Sequence, residues 1–196
     1  MRKLVILAIV LCLAMMLIPA ASAGPNGTDR PFKGTATGIL QFGAVDNPDG
    51  LLNVKDCDEA NVPGIPPEVV AFFQVTTFTT ADGIASHLGK IHLEAAHCPN
   101  PFVGPVGGQM AFIAANGDVL YSEYYGTGPT SVHMDFLAEN TQDECYLLND
   151  VPCRSTGRFA DVAGQAEQTV EFEQTDPDNP FVPWSFWADW MGELSY

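Results

Sequence analysis

The sequence predicts an all-β protein built as a single antiparallel eight-stranded β-barrel, and three observations lead to that prediction. Apolar and polar side chains alternate over several stretches of about ten residues, which is the pattern of a half-buried strand. Turn-forming dipeptides such as Asn116-Gly117 separate these stretches. No amphipathic helical pattern of convincing length interrupts them. Short strands with one apolar face must bury those faces against one another, in a barrel or, as the alternative, in a β-sandwich.

The predicted strands follow one another along the chain. The first spans residues 32–42, where glycines on the apolar face indicate a tight bend or the close approach of another backbone. The second, residues 69–80, is apolar enough to be buried on both faces. The others are residues 84–98, the two arms of residues 107–126, and residues 131–139, 164–174 and 184–196. Their number and meander-like order favour a barrel, whose interior is filled by side chains or just wide enough for one small ligand.

Two turns connect the central strands. Asn116 and Gly117 predict a type I′ turn, because both central residues of that turn need positive φ. Another turn is predicted at residues 81–83. Residues 84–98 then form one long strand that bends at Gly89, because an unbroken strand of that length would span about 50 Å.

The first 23 residues predict a secretory signal peptide, with an uncleaved N-terminal anchor as the alternative. Arg2 and Lys3 give a positive start, and residues 4–18 are apolar but too short to span a bilayer with ease. Residues 21–23 form a small-residue cleavage site. We therefore expect export to the periplasm or the medium, with residues 24–196 as a single mature domain.

The charge balance excludes some partners. The chain has 24 acidic and eight basic residues, a formal net charge of −16 at pH 7. Such a charge repels nucleic acid and anionic membranes, so we expect neither as a partner. Residues 43–67 form a long acidic connection punctuated by prolines, typical of a functional loop or of a disulfide-pinned excursion. The order of an EF-hand loop is absent from it, so calcium is not favoured.

Four of the five cysteines lie beyond the signal peptide. An even number in an exported chain predicts disulfides, and four cysteines allow three pairings. We expect Cys145 to pair with Cys153 in a small loop, and Cys57 to pair with Cys98, which ties the long connection to a strand end. Because the chain has no Cys-x-x-Cys spacing, we expect no zinc site, and no other cofactor is indicated.

His92 and Glu94 are the candidate catalytic residues. They lie two positions apart on one strand face, about 7 Å between their Cα atoms. If that face points into the barrel, burial and proximity would shift their pKa values toward those of a proton-transfer pair. The favoured alternative is that this face meets solvent, because Ile91, Leu93 and Ala95 form the more apolar face.

Three further residues are candidate ligand contacts, each with a structural alternative. His87 either contacts a ligand in the barrel or hydrogen-bonds a neighbouring strand. Arg158 either holds an anionic ligand or pairs with a carboxylate and fixes the turn before residues 164–174. Trp187 stands on the polar face of the last strand and either stacks on a sugar ring or marks a partner surface. His87, His92 and His97 are too far apart along an extended strand to share one metal ion.

Short elements of the chain resemble uncharacterised exported bacterial β-barrel proteins that are similar to the allene oxide cyclase and dirigent type of barrel. These elements are GIASHLG at residues 83–89, AANGD at 114–118, TGRF at 156–159 and GELSY at 192–196. Their order across more than half of the mature chain carries the resemblance. It implies an antiparallel barrel of the allene oxide cyclase or calycin kind. It carries over no catalytic residue, because the active-site motifs of the cyclase have no match in this chain.

The functional expectation is an exported, non-catalytic barrel that binds a small apolar molecule or serves an extracellular interaction. No nucleophile-elbow context is present for hydrolysis by a Ser-His-Asp triad. The resemblance and the His92 and Glu94 pair suggest the alternative of an isomerase or cyclase acting on a lipid-like substrate. Trp187 suggests a further alternative, a carbohydrate-binding module whose partner is a glycan.

Overall fold

The computed structural model describes residues 29–42, 57, 76–100, 102–176, 178 and 183–196. They form eight antiparallel strands, each hydrogen-bonded to the next, and the last strand returns to the first to close a barrel. The strands are β1 (Arg30–Phe42), β2 (Thr77–Ala85), β3 (Gly89–Cys98), β4 (Val106–Ala114), β5 (Val119–Gly128), β6 (Ser131–Leu137), β7 (Ala163–Gln174) and β8 (Trp184–Ser195). The predicted eight-stranded antiparallel barrel is confirmed, and the β-sandwich is not formed.

Several predicted features lie outside the described residues. They are the signal peptide of residues 1–23, the acidic connection of residues 43–67 apart from Cys57, and the first part of the strand predicted at residues 69–80. The described part of that strand, from Thr77 onward, is buried on both faces at Thr77, Phe78 and Thr79. No helix in the described ranges has the length and apolarity needed to cross a membrane.

Glycines on the inner face of β1 allow neighbouring backbones to approach closely, as predicted. A Cβ atom on Gly38 would lie 2.0 Å from the carbonyl oxygen of Thr80 on β2. On β2 itself, a Cβ atom on Gly83 would lie 2.1 Å from the carbonyl oxygen of Thr35. These two strands therefore pack more tightly than side chains would permit.

The turn between β2 and β3 differs from the prediction. Residues 81–83 continue β2, and the chain reverses at residues 86–88, so β3 begins at Gly89. His87 and Gly89 both have positive φ, 69° and 74°. The predicted turn at residues 81–83 and the single bent strand over residues 84–98 are wrong, because Gly83 serves strand packing and Gly89 completes a full reversal.

The hairpin between β4 and β5 is present, but its turn is not type I′. Gly117 has a φ of 86°, whereas Asn116 is outside the left-handed region. Gly117 N donates to Ala114 O, and Ala114 N donates to Asp118 O, each at 2.9 Å. This pattern is a three-residue loop in which a left-handed glycine follows the turn. The Asn116 side chain stabilises it by accepting a hydrogen bond from Asp118 N at 3.2 Å.

Aromatic side chains fill one end of the barrel, which we call the closed end. It is the end where β1, β3, β5 and β7 begin. Phe32 lies 4.9 Å from Phe136, and Phe112 lies 5.1 Å from Trp190, in edge-to-face contacts between ring centroids. Phe159, in the 3₁₀ turn Gly157–Phe159 that precedes β7, is fully buried at the same end. This half of the interior is therefore a solid core.

Residues 138–156, the cover segment, lie against the outer face of β4 and β5. The buried Gln109 side chain of β4 joins the two layers, since its Nε2 donates to Glu144 O at 2.7 Å and its Oε1 accepts from Tyr146 N at 2.8 Å. Ser155 Oγ accepts from Tyr121 N at 2.9 Å, a donor of β5 beyond the end of the β5 and β6 ladder. The outer face of these strands is therefore a second, smaller core.

Both predicted disulfides are confirmed. Cys57 and Cys98 are joined with a Cα separation of 5.4 Å, which holds the connection between β1 and β2 at the end of β3. Cys145 and Cys153 are joined with a Cα separation of 5.6 Å, which closes a loop inside the cover segment. Each bond constrains a connection between strands.

Candidate functional site

An apolar cavity lies inside the barrel at the end opposite the closed end. At this end, which we call the cavity end, β1, β3, β5 and β7 finish and the other strands begin. The cavity has a volume of about 50 Å³. A wider pocket of about 290 Å³, the mouth pocket, adjoins it. The two share the wall residues Leu40, His97, Pro105, Pro129 and Phe172.

Small and polar residues at inward positions leave this space open. Thr79 of β2 and Ala95 of β3 are two such small residues that line the cavity. Gly108 of β4 has a related role, because a Cβ atom there would lie 2.4 Å from the ring of Tyr124. The missing side chain at Gly108 lets the Tyr124 ring lie across β4.

His97 and Tyr124 form the polar centre of the site. Nδ1 of His97 lies 2.8 Å from the hydroxyl oxygen of Tyr124, and the rings meet edge to face at 5.7 Å. Tyr124 is buried, and this burial raises the pKa of its phenol well above the usual range. The phenol therefore stays protonated at any physiological pH and acts as a hydrogen-bonding group rather than as an anion.

Thr77 adds an unpaired hydroxyl beside this pair. Thr77 of β2 stands directly opposite His97 of β3 in the strand register and lines the mouth pocket. Its side chain is 0% exposed, and Oγ1 has no hydrogen-bond partner among the described residues. Gln168 of β7, also buried, lines the inner cavity with a further amide group. The site thus combines apolar walls with a few converging polar atoms, the usual composition of a small-molecule site.

The charged side chains that the structure describes lie away from the site. No Asp, Glu, Lys or Arg of the described residues lines the cavity or the mouth pocket. The five basic residues that the structure describes all lie toward the closed end. They are among the first residues of β1 and β3 or in the segment between β6 and β7. They are Arg30, Lys33, Lys90, Arg154 and Arg158. The cavity end therefore offers an anionic ligand no cation from the described part of the chain.

His92 and Glu94 lie on the outer face of β3, while Ile91, Leu93 and Ala95 point into the barrel core. His92 is half exposed, with Nδ1 3.0 Å from Asp82 Oδ1 and Nε2 3.8 Å from Glu94 Oε1. The outward orientation favoured by the apolar pattern is thus the observed one. The pair lies outside the cavity and cannot act on a ligand bound there.

Glu94 nevertheless avoids solvent, contrary to the expectation for an outward position. It is 2% exposed beneath the cover segment, where Asn149 Nδ2 donates to its Oε1 at 2.7 Å. Its Oε2 has no hydrogen-bond partner among the described residues. Burial raises the pKa of Glu94, an effect that the Asn149 hydrogen bond, His92 and the Leu148 backbone only partly offset.

None of the three predicted ligand contacts lines the cavity or the mouth pocket. His87 Nε2 is 2.9 Å from Pro31 O, a contact to the neighbouring strand. Arg158 Nε is 3.3 Å from Asp118 Oδ2 at the turn before β7. Both contacts match the structural alternatives that the sequence suggested. Trp187 is 38% exposed on the outer face of β8, so a role in glycan binding stays a prediction.

His97, Tyr124, Thr77 and Gln168 were not identified as site residues from the sequence. A signal for His97 was present, because it continues the inward series of Leu93 and Ala95 at every second position. That signal is easily missed, because His97 follows His87 and His92, and three histidines in one stretch suggest a metal site rather than a cavity wall. Among the described residues, no group of three or more His, Cys, Asp or Glu side chains is placed to hold a metal ion.

The fold and the cavity define a class, a closed antiparallel eight-stranded barrel with an apolar pocket at one end. Comparison of the chain with protein-family models, with curated proteins and with solved structures gives no match. Because a barrel of this kind serves many unrelated roles, the function is argued from the geometry of the site.

Proposed function

We propose that this protein is an exported, non-catalytic barrel that binds one small apolar molecule at its cavity end. The observation that carries the proposal is the mouth pocket of about 290 Å³, which continues into the barrel interior. Typical small-molecule pockets have volumes of about 300–1,000 Å³. The pocket therefore suits a compact ligand or one short chain.

Aromatic residues around the entrance favour an apolar ligand. The ring of Trp184 lies 5.6 Å from that of Phe42 and 6.5 Å from that of Phe172. All three line the mouth pocket, and Phe172 remains 40% exposed. Covering such surface contributes about 25 cal/mol per Å² of apolar area removed from water. A ligand that enters between these rings gains this contribution without any change of fold.

Action outside the cytoplasm is part of the proposal. Two disulfides in one small domain are typical of proteins that fold in an oxidising compartment. The signal-peptide pattern of residues 1–23 and the strongly acidic composition support the same proposal.

Titration calorimetry with octanol tests the proposal on the purified mature protein. We expect saturable binding of one molecule per chain with a negative heat-capacity change, the mark of apolar burial. Native mass spectrometry of the same preparation should show a bound small molecule or a complex with added octanol. A folded protein that does not bind octanol up to the solubility limit would contradict the proposal.

A proton-transfer enzyme, such as an isomerase or cyclase of a lipid-like substrate, is the second candidate. The observation that favours it is the His97 and Tyr124 pair inside an apolar cavity. Here an imidazole could take a proton while the phenol hydrogen-bonds a substrate oxygen. We would incubate 2-octanone with the protein in D₂O and follow exchange of its α-protons by NMR. Exchange faster than in buffer, and lost in His97→Gln, supports the enzyme, whereas exchange equal to buffer leaves binding as the function.

A further inference from the structure

We infer that the ligand carries one neutral hydroxyl or carbonyl group and no formal charge, and that this group binds at Thr77, His97 and Tyr124. The inference rests on the proposed function, because it concerns the same pocket. It assigns the chemical class of the ligand, which the apolar walls alone leave open.

The three side chains come from β2, β3 and β5. Thr77 and His97 are direct partners in the register of β2 and β3, so their Cβ atoms are about 5 Å apart. Tyr124 reaches the same point from β5, with its hydroxyl oxygen 2.8 Å from His97 Nδ1. Thr77 lines the mouth pocket, Tyr124 lines the inner cavity and His97 lines both, so a ligand that spans the two spaces passes all three side chains.

Two of the three side chains, Tyr124 and Thr77, keep hydrogen-bonding capacity for a ligand. If the Tyr124 hydroxyl donates to His97, its oxygen lone pairs remain free to accept, and if His97 donates, the phenol hydrogen remains free to be donated. Thr77 Oγ1 is fully buried with no partner among the described residues. An unmade hydrogen bond of a buried hydroxyl costs about 1–3 kcal/mol. A ligand hydroxyl, which both donates and accepts, satisfies either arrangement, and a carbonyl satisfies the donors.

The described residues offer no charge that would compensate a charged ligand group at the same point. No Lys, Arg, Asp or Glu of the described residues lines either space. Moving an ion from water into such surroundings costs several kcal/mol unless an opposite charge pairs with it. The described basic residues are at the closed end of the barrel. The site therefore discriminates against carboxylates and ammonium ions that have the same alkyl chain.

Calorimetric titrations with octanol, octanoate and octylammonium at pH 8, where the carboxylate and the ammonium ligands are both charged, test the inference. We expect octanol to bind at least tenfold more tightly than either ion. Octanoate or octylammonium binding as tightly as octanol would overturn the inference while leaving the pocket as a binding site. Failure of all three to bind would instead remove the proposed function.

Variants locate the polar contact. Tyr124→Phe and Thr77→Val should each weaken octanol binding by about three- to tenfold, because each removes one neutral hydrogen bond.

Tyr125→Phe is the matched control, because Tyr125 is the next residue along β5 and is 51% exposed. We expect no change of octanol affinity in this control. Thermal unfolding verifies that each variant is folded, and Thr77→Val should lose no stability, since it removes a buried hydroxyl without a partner. Wild-type octanol affinity in both site variants would contradict the inference.

Discussion

His97 of β3 and Tyr124 of β5 meet at 2.8 Å although β4 lies between their strands. The contact depends on Gly108 of β4, because the Tyr124 ring occupies the space where a Cβ atom would be. A single small residue on the middle strand therefore brings together two polar side chains that the sheet would otherwise separate.

Gly108→Ala tests this dependence. The added methyl group would lie 2.4 Å from the Tyr124 ring, so we expect the ring to move and its hydrogen bond to His97 to break. The ¹⁵N chemical shifts of the His97 imidazole should change as they do in Tyr124→Phe, which lacks the hydroxyl. Wild-type imidazole shifts in a folded Gly108→Ala protein would show that the contact does not need the glycine.

The buried Glu94 should make stability depend on pH. Burial raises the pKa of Glu94 above its ordinary 4.5, so the folded protein holds this proton more tightly than the unfolded chain does. The stability it contributes is complete below the unfolded pKa and is lost as the pH rises through the folded pKa. Each unit by which the pKa of a group is raised on folding corresponds to about 1.4 kcal/mol in the free energy of unfolding.

Glu94→Gln should therefore be more stable than the wild type at pH 7, and this gain should vanish below about pH 4. For a chain of this size, each kcal/mol raises Tm by about 2–4 °C. Glu171→Gln is the control, because it neutralises an exposed glutamate on the outer face of β7. A loss of stability in Glu94→Gln at pH 7 would mean that the carboxylate is stabilised more by its partners than it is destabilised by burial.

The two disulfides should contribute unequally. Cys57 and Cys98 are 41 residues apart, and Cys145 and Cys153 are eight apart. From loop-closure entropy alone, the longer loop contributes about 4 kcal/mol and the shorter about 2.5 kcal/mol. We expect guanidinium unfolding to show the larger loss when Cys57 and Cys98 are both replaced by Ala. The reverse order would mean that the short loop acts by holding the cover segment in place.

Gly38→Ala tests the close approach of β1 and β2. Its methyl group would lie 2.0 Å from the Thr80 carbonyl oxygen, a backbone atom that cannot move without distorting the ladder. We expect a loss of about 1–3 kcal/mol or more in free energy of unfolding. Gly128→Ala is the control, because its nearest neighbour would be 3.9 Å away, and its change should stay within about 0.5 kcal/mol. Equal effects in the two variants would refute the tight packing.

The barrel could be predicted because alternation of apolar residues directly encodes which face is buried. Met134 and Phe136 of β6, and Phe186 and Trp190 of β8, all point inward as that pattern requires. Gly83 misled the turn prediction, because a glycine needed for close strand packing looks in sequence like a glycine needed for a turn. Only the paired register separates these two uses.

The surroundings of Glu94 and Tyr124 were harder to predict because they depend on distant parts of the chain. Glu94 lies at an outward position, and only the polar cover segment that folds over it makes it buried. Tyr124 reaches His97 across β4 through the space at Gly108. Neither relationship follows from local periodicity, which places side chains on a face but does not say what covers that face.

The most direct test of the proposed ligand site is a methyl NMR titration of the mature protein with octanol. The methyl groups of Leu40, Leu93 and Val132 line the cavity, whereas that of Leu194 lies in the core near the closed end. We expect the first three to shift in a saturable manner while Leu194 stays unchanged. Saturable shifts confined to the closed end or to the outer surface would contradict a ligand site at the cavity end.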